Sequence, residues 1–226
     1  LLWRRLGFNQ KYIIRNTFRN KVRMFTCIFG IAFCMALVFL AFALRDSIDH
    51  YSAALSEGQN RYDLMVDFST SVTEGQYRRI TQDVGVTGAE LEMTTAGWLY
   101  TDSRQATATI TVAEDQLSLK RYDPYAEGVL SLPADGVVLE ESLAEELGVE
   151  AGGTVTLRFT GSSAYYPVKV AELNRSVSGV YISRSLWRSL GLAYTPTAAY
   201  VTAEDPDALA ARLADYDFVD AWQTRE

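Results

Sequence analysis

The chain has 226 residues and a formal charge of −7, from 21 Lys and Arg against 28 Asp and Glu. That length allows one or two domains, and a hydrophobic share of 48% excludes disorder as the main state. The acidic balance argues against a nucleic-acid binder, and a single His argues against His-rich metal sites and against Ser–His catalysis unless His50 alone serves.

The average hides an asymmetry. Residues 1–23 carry Arg4, Arg5, Lys11, Arg15, Arg19, Lys21 and Arg23, and no acid. All 28 acids lie after residue 45, beside the fourteen remaining basic residues. A cationic tail, a neutral stretch and an anionic body fit two compartments better than one globule.

The neutral stretch is Met24 to Leu44, 21 residues without a charge. As a helix it runs ~31 Å, the thickness of a bilayer core. Eleven of its residues are Leu, Ile, Val or Phe, which favour insertion by roughly 3–7 kcal/mol. A buried soluble helix rarely avoids charge for so long. A cleaved leader competes, with Ala41-Phe42-Ala43 as its cleavage site, but a secretory apolar core is ~7–15 residues long. The expectation is a retained anchor with a cytoplasmic N-terminus and an outer acidic part.

Both cysteines, Cys27 and Cys34, lie inside the span and cannot bridge each other within one helix. The outer part has no cysteine, which suits a bacterial surface at least as well as an animal one. Cys27, Gly30, Cys34 and Ala41 fall in one ~60° sector of the helix, with Ala32, Ala36 and Ala43 opposite. Two small-residue seams suit packing against neighbouring membrane helices; plain abundance of Ala and Gly in such helices explains them equally. Before the span, Leu6, Ile13, Ile14 and Phe18 lie among Lys11, Arg15, Arg19 and Arg23. This basic stretch suits an anionic inner leaflet or a cytoplasmic partner, and simple topogenic charge needs the same residues.

Beyond the span, Leu44, Ile48, Tyr51 and Leu55 keep helical spacing to a stop at Gly58. An apolar seam on a helix leaving the membrane calls for a partner helix.

The outer region alternates strands and short helices. Tyr62 to Phe68 reads as a strand, and Thr73 opens a helix through Tyr77, Ile80 and Val84. Leu91–Thr101 and Ala106–Ala113 form a hairpin around residues 102–105. Gly136–Leu139 is a strand and Glu140–Leu147 a helix that Gly148 ends in the left-handed conformation. Thr154–Thr160 and Tyr165–Glu172 form a second hairpin. Gly179–Ile182 is a strand, Arg184–Leu190 a helix closed by Gly191, and Thr197–Thr202 a strand. Asp205-Pro206 caps a helix through Leu213, and Phe218–Trp222 is a last strand. The class is α+β.

Motifs of catalysis are missing from the sequence: G-x-x-x-x-G-K-[ST], G-x-S-x-G, H-E-x-x-H and C-x-x-C do not occur. His50 reads as a solvated or stalk-packing histidine. Glu140, Glu141, Glu145, Glu146 and Glu150 mostly oppose the Leu face of their helix, as a solvated surface does. Asp215, Asp217 and Asp220 lack EF-hand spacing. Trp98 with Tyr100, and Tyr165 with Pro167, read as core or inter-lobe packing, with a ligand surface as the lesser alternative.

The run RNTFRNKVRMFTCIFGIAFCMALVFLAFALRDSI resembles the start and first membrane helix of the FtsX-like, MacB-type ABC transporter permeases. GVVLEESLAEELGVEAGGTVTLRF, YYPVKVAEL and GVYISRSLWRSLG are similar to later parts of the same family. The likeness is strongest to the second half of long permeases that carry two such repeats, with Gly153 and Glu172 as departures from the pattern. The resemblance implies four membrane helices per repeat, with an extracytoplasmic domain between the first and second. It implies a βαβ-type lobe from residues 62–128 and 195–226, and an inserted β-rich lobe from 129–194. These follow a basic segment 1–23, a membrane helix 24–44 and a helical stalk 45–61.

On that resemblance the chain is a non-catalytic permease fragment without a cofactor, in a bacterial cell membrane. Its partners are a separate cytoplasmic ABC ATPase, the lipid bilayer and the remaining membrane helices, as a permease dimer or paired repeats. Ile48, Tyr51 and Leu55 pack the second helix's stalk, and Arg15, Arg19, Lys21 and Arg23 sit by the inner leaflet or the ATPase. A single-pass sensor or binding ectodomain, and a membrane-anchored hydrolase, are the alternatives.

Overall fold

A computed structural model of the chain describes residues 7–8, 11–13, 19, 21–69, 72–126 and 128–225, without the side chains of 54–57 and 74. It divides into two units, up to Ser52 and from Ala53 onward.

The first unit is dominated by α1 (Lys21–Gln59), a 39-residue helix that runs on into the second. At ~1.5 Å per residue it is ~58 Å long. Continuity follows from composition: proline is absent, and glycine occurs only at Gly30 and Gly58. Its apolar side chains stand uncovered, with Phe29 69% and Phe39 71% exposed. The stretch Lys21–Ala53 is long and apolar enough to cross a membrane.

The second unit is α+β. Its elements are β1 (Leu64–Phe68), α2 (Glu74–Thr81), β2 (Val86–Tyr100), β3 (Gln105–Ala113), β4 (Gln116–Leu117) and β5 (Leu130–Ser131). There follow β6 (Val137–Glu140), α3 (Glu141–Leu147), β7 (Thr154–Phe159), β8 (Tyr166–Asn174), β9 (Val180–Ser183) and α4 (Arg184–Ser189). The last are β10 (Ala198–Ala203), α5 (Pro206–Leu213) and β11 (Val219–Thr224).

Local chemistry sets several boundaries. Thr73 and Gln76 form a capping box at the start of α2. The Asp205 side chain caps α5 at Ala208 N–H, with Pro206 in the first turn. Gly148 ends α3 with φ 67°, where a Cβ is disfavoured.

Four strands in the order β11-β1-β10-β2 form an antiparallel sheet. Because β10 separates β1 from β2, β1-α2-β2 is a split βαβ unit, and β10-α5-β11 is a second. Both helices cover one face, over a core of Leu64, Val66, Ile80, Leu91, Val201, Leu209, Leu213 and Phe218.

The remaining strands close on themselves. β2 pairs β3, β3 pairs β9, β9 pairs β6, β6 pairs β8, β8 pairs β7, and β7 returns to β2. This is a six-stranded barrel, with β3–β9 and β6–β8 parallel. Leu99, Ile110, Val112, Leu139, Leu157, Val170 and Ile182 fill it, together with Leu147 of α3 and Trp187 of α4.

The 15-residue β2 is the shared wall: Leu91 belongs to the sheet's core and Met93 to the barrel's. Partly buried Tyr194 touches both cores. The sequence reading groups residues 105–113 with the first lobe, yet β3 lines the barrel with Ala106, Ile110 and Val112. The hairpin is local, but its second partners, β7 and β9, pair with it across 56 or more residues.

Candidate functional site

The opposite face of the four-stranded sheet carries charge. Glu90 and Glu92 of β2 are 9% and 7% exposed. Alternation turns them away from the helix-covered face that Leu91 occupies. The segment after β4 runs over them. The Glu90 carboxylate accepts from Ser118 N–H (2.7 Å), Ser118 Oγ (2.6 Å), Leu119 N–H (3.1 Å) and Lys120 N–H (3.3 Å). Glu92 accepts from Lys120 Nζ at 3.2 Å and from the Tyr200 hydroxyl at 2.9 Å. Lys120 Nζ also donates to the Tyr200 hydroxyl and lies 4.5 Å from its ring centroid. Burial first, and then the Glu92 charge, push the Tyr200 phenol far above its ordinary range. Tyr200 stays a neutral donor.

The same segment meets the end of α1. Arg121 N–H donates to Gln59 O at 2.9 Å, Arg61 N–H to Leu119 O at 2.7 Å, and Gln59 Nε2 to Tyr122 O at 3.1 Å. Gly58 sits directly against the backbone of Pro124. Further on, Tyr122 is buried with Leu117, Leu132, Val138 and Val177. Its hydroxyl lies 3.3 Å from a Glu172 carboxylate oxygen on β8. Residues 117–124 thus touch the last turn of α1, the four-stranded sheet and the barrel.

The end of the last strand returns to the same place. Arg225 N–H donates to Asp63 O at 2.8 Å, and the Arg225 guanidinium to Asn60 O. Thr224 lies opposite Leu64 in the β1–β11 ladder. A family profile described as the MacB-like periplasmic core domain matches residues 24–220. The chain belongs to that family.

Two solved structures are similar to this MacB-like chain. The extracellular domain of the noncanonic ABC-type transporter YknZ from Gram-positive bacteria shares 15% identity, with a TM-score of 0.46. The match covers 73% of this chain and 99% of that one. The periplasmic region of MacB from Actinobacillus actinomycetemcomitans shares 13%, with a TM-score of 0.45, over 74% and 91%. No curated protein sequence matches the chain.

The residues singled out from the sequence of this MacB-like protein fall in different places. Cys27, Gly30, Ala32, Cys34, Ala36, Ala41 and Ala43 are exposed along α1, with both cysteines free. Ile48 and Tyr51 are 62% and 57% exposed on the same helix, and the Leu55 side chain lies outside the described residues. Arg19, Lys21 and Arg23 are exposed; Arg15 lies outside the described residues, as do Leu6, Ile14 and Phe18.

Trp98, Tyr100 and Tyr165 gather on the outer barrel wall. The Arg158 guanidinium lies 5.5 Å from the Trp98 ring and 5.8 Å from that of Tyr165. The Glu140 carboxylate accepts from Ser142 and from Gly179 N–H (2.7 Å), and Glu141 pairs with Arg175. Among the described residues, no group of three His, Cys, Asp or Glu is placed to hold a metal ion.

Sequence reasoning misses Glu90, Glu92, Lys120 and Tyr200. The two carboxylates and Lys120 lie 28 residues or more apart, and Tyr200 is 108 from Glu92. One signal was present: two acids at alternate positions beside the apolar Leu91, on a strand whose polar face also needed a cover.

Proposed function

We propose that this chain is the first membrane helix and the extracytoplasmic domain of an ABC transporter permease. The domain carries motion driven by a cytoplasmic ATPase to the outer face. The observation that carries the reading is the meeting of Arg225 with Asn60 and Asp63 beside the last turn of α1. A domain whose first strand begins where its last strand ends can be inserted between two chain segments, as this reading requires. The family membership supports the extracytoplasmic side, and the seven basic residues before an uncharged span support a cytoplasmic N-terminus.

On this reading the seams of Cys27, Gly30, Cys34 and Ala41, and of Ala32, Ala36 and Ala43, pack other helices of the permease. Ile48, Tyr51 and Leu55 pack the stalk of its second helix. Arg15, Arg19, Lys21 and Arg23 lie at the inner leaflet or against the ATPase. The four-stranded sheet and the barrel act as two lobes joined through β2. The chain supplies no catalytic group of its own.

Force reaches the lobes because α1 is unbroken across residues 44–59. Breaking it tests the reading. In the assembled transporter, Ala53→Pro, or Ala53→Gly with Ala54→Gly, leaves membrane insertion and basal ATP hydrolysis intact and abolishes transport. Transport at the parental rate in both variants would overturn it.

A further inference from the structure

We infer that residues 118–122 are the mechanical bridge between α1 and the sheet, and that the Glu90 carboxylate is the positioning group that holds the bridge in place. The end of α1 and the chain just after it make backbone bonds to this segment through Gln59 and Arg61. The segment is itself irregular, and an irregular stretch is compliant unless something fixes it. Glu90 fixes it. One carboxylate takes three consecutive backbone N–H groups and one hydroxyl. These are charge-assisted bonds inside a nearly closed site, roughly twice as strong as neutral ones.

Lys120 adds a second attachment through Glu92 and Tyr200, which belong to different strands of the sheet. Tyr62, just after the helix, packs its ring against the same Tyr200, tilted by 41° with 4.8 Å between centroids. A displacement of Gln59–Arg61 therefore reaches β2 through residues 118–122, and β10 both through them and through β1, which the chain enters at Leu64. Because β2 is also a barrel wall, both lobes follow. The bridge stands on these contacts alone; its part in transport rests on the permease reading above.

The test is site-resolved amide exchange on the full chain in lipid nanodiscs. Glu90→Gln keeps the shape but removes the charge, and with its amide oxygen toward Ser118 and Leu119 it turns an NH₂ group toward Lys120 N–H. The Arg61 and Arg121 amides, which make the bonds between segment and helix, exchange about tenfold faster. The Val168 and Val170 amides in the barrel do not change. Ser118→Ala removes only the hydroxyl and gives a smaller rise at the same two amides, which decides the matter should Glu90→Gln unfold globally. Parental exchange at Arg61 in a folded Glu90→Gln protein, or in Ser118→Ala where that variant unfolds, overturns the bridge. In the assembled transporter, Glu90→Gln loses transport and keeps ATP hydrolysis. Faster exchange at Arg61 with full transport would leave the bridge as a structural tie and refute its role in coupling, whereas intact transport in the Ala53 variants would refute the permease reading itself.

Discussion

Gly97 lies so close to the backbone of Arg158 that a Cβ there would stand 2.9 Å from the Arg158 carbonyl oxygen. It would also collide with the Ile110 side chain inside the barrel. Gly97 faces Ala108 on one side and Phe159 on the other, at the point where β7 meets β2 and the barrel closes. Thr160 N–H bonds to Ala96 O at 2.9 Å and extends the seam by a residue.

Gly97→Val therefore forces the seam open or Ile110 out of its place. The expected loss is about 1–3 kcal/mol, the range for overpacking a tight core. Urea unfolding checks it. An unchanged midpoint would mean that the β2–β7 seam does not hold the barrel.

Two helical glycines make opposite predictions. Gly75, in the first turn of α2, has nothing within 4 Å of its Cβ position. Gly75→Ala only restricts the unfolded chain, and stabilises by about 0.5 kcal/mol. Gly58 is in a helix too, so propensity alone favours Ala there. Its Cβ, however, would stand 3.0 Å from both Cα and the carbonyl carbon of Pro124, with the carbonyl oxygen nearer still. Backbone cannot move aside as a side chain does. Gly58→Ala destabilises by about 1–3 kcal/mol. Thermal unfolding of the pair reads the difference in sign.

The elements were legible where the determinants are local. Thr73, Gly148 and Asp205-Pro206 act within four residues of themselves, and each boundary falls where the spacing puts it. The α+β class and the family followed from the same local runs. The start of β2 was less visible. It begins at Val86, five residues before the expected Leu91, because Glu90 interrupts the apolar pattern with a buried carboxylate whose partners lie at 118–120. β4 and β5, two residues each, carry too few side chains to show a period. Barrel closure depends on pairings such as Gly97 with Phe159, 62 residues apart. No local pattern encodes it, although Gly97 in mid-strand was a clue.

Acid should expose the contribution of Glu140. The Ser142 hydroxyl first, and then the Gly179 N–H, hold its carboxyl below the ordinary value near 4.5. A depressed pKa stabilises the fold above the unfolded value, and the gain is lost as the pH falls through the folded value. Glu140→Gln weakens both bonds, so at pH 7 it lowers stability by about 1 kcal/mol. As the pH falls below 4.5 and through the lower folded value, the two proteins converge, because the parent loses the same charge. A gap that stays constant through the whole acid titration of the fold would assign the effect to packing instead.

Arg121 carries the last prediction. Its side chain is only 1% exposed, and its Nε and Nη1 have no hydrogen-bond partner among the described residues. Only Nη2 donates, to Ala126 O. Burial first, and then the Arg61 charge, push its pKa below the ordinary arginine range, though arginine keeps its proton. A buried cation with two idle donors opposes folding, and a well-packed apolar residue of similar length removes that penalty. Arg121→Met retains the main-chain bond from Arg121 N–H to Gln59 O. It gives up one side-chain bond and the desolvated charge together. The desolvation of an ion, several kcal/mol, outweighs a single bond to a neutral carbonyl. Arg121→Met is therefore expected to raise the urea midpoint, and Arg121→Ala to lower it by leaving a cavity. If Met lowers the midpoint as far as Ala does, the guanidinium stabilises the junction, and its two idle donors are satisfied in solution by water or by an anion.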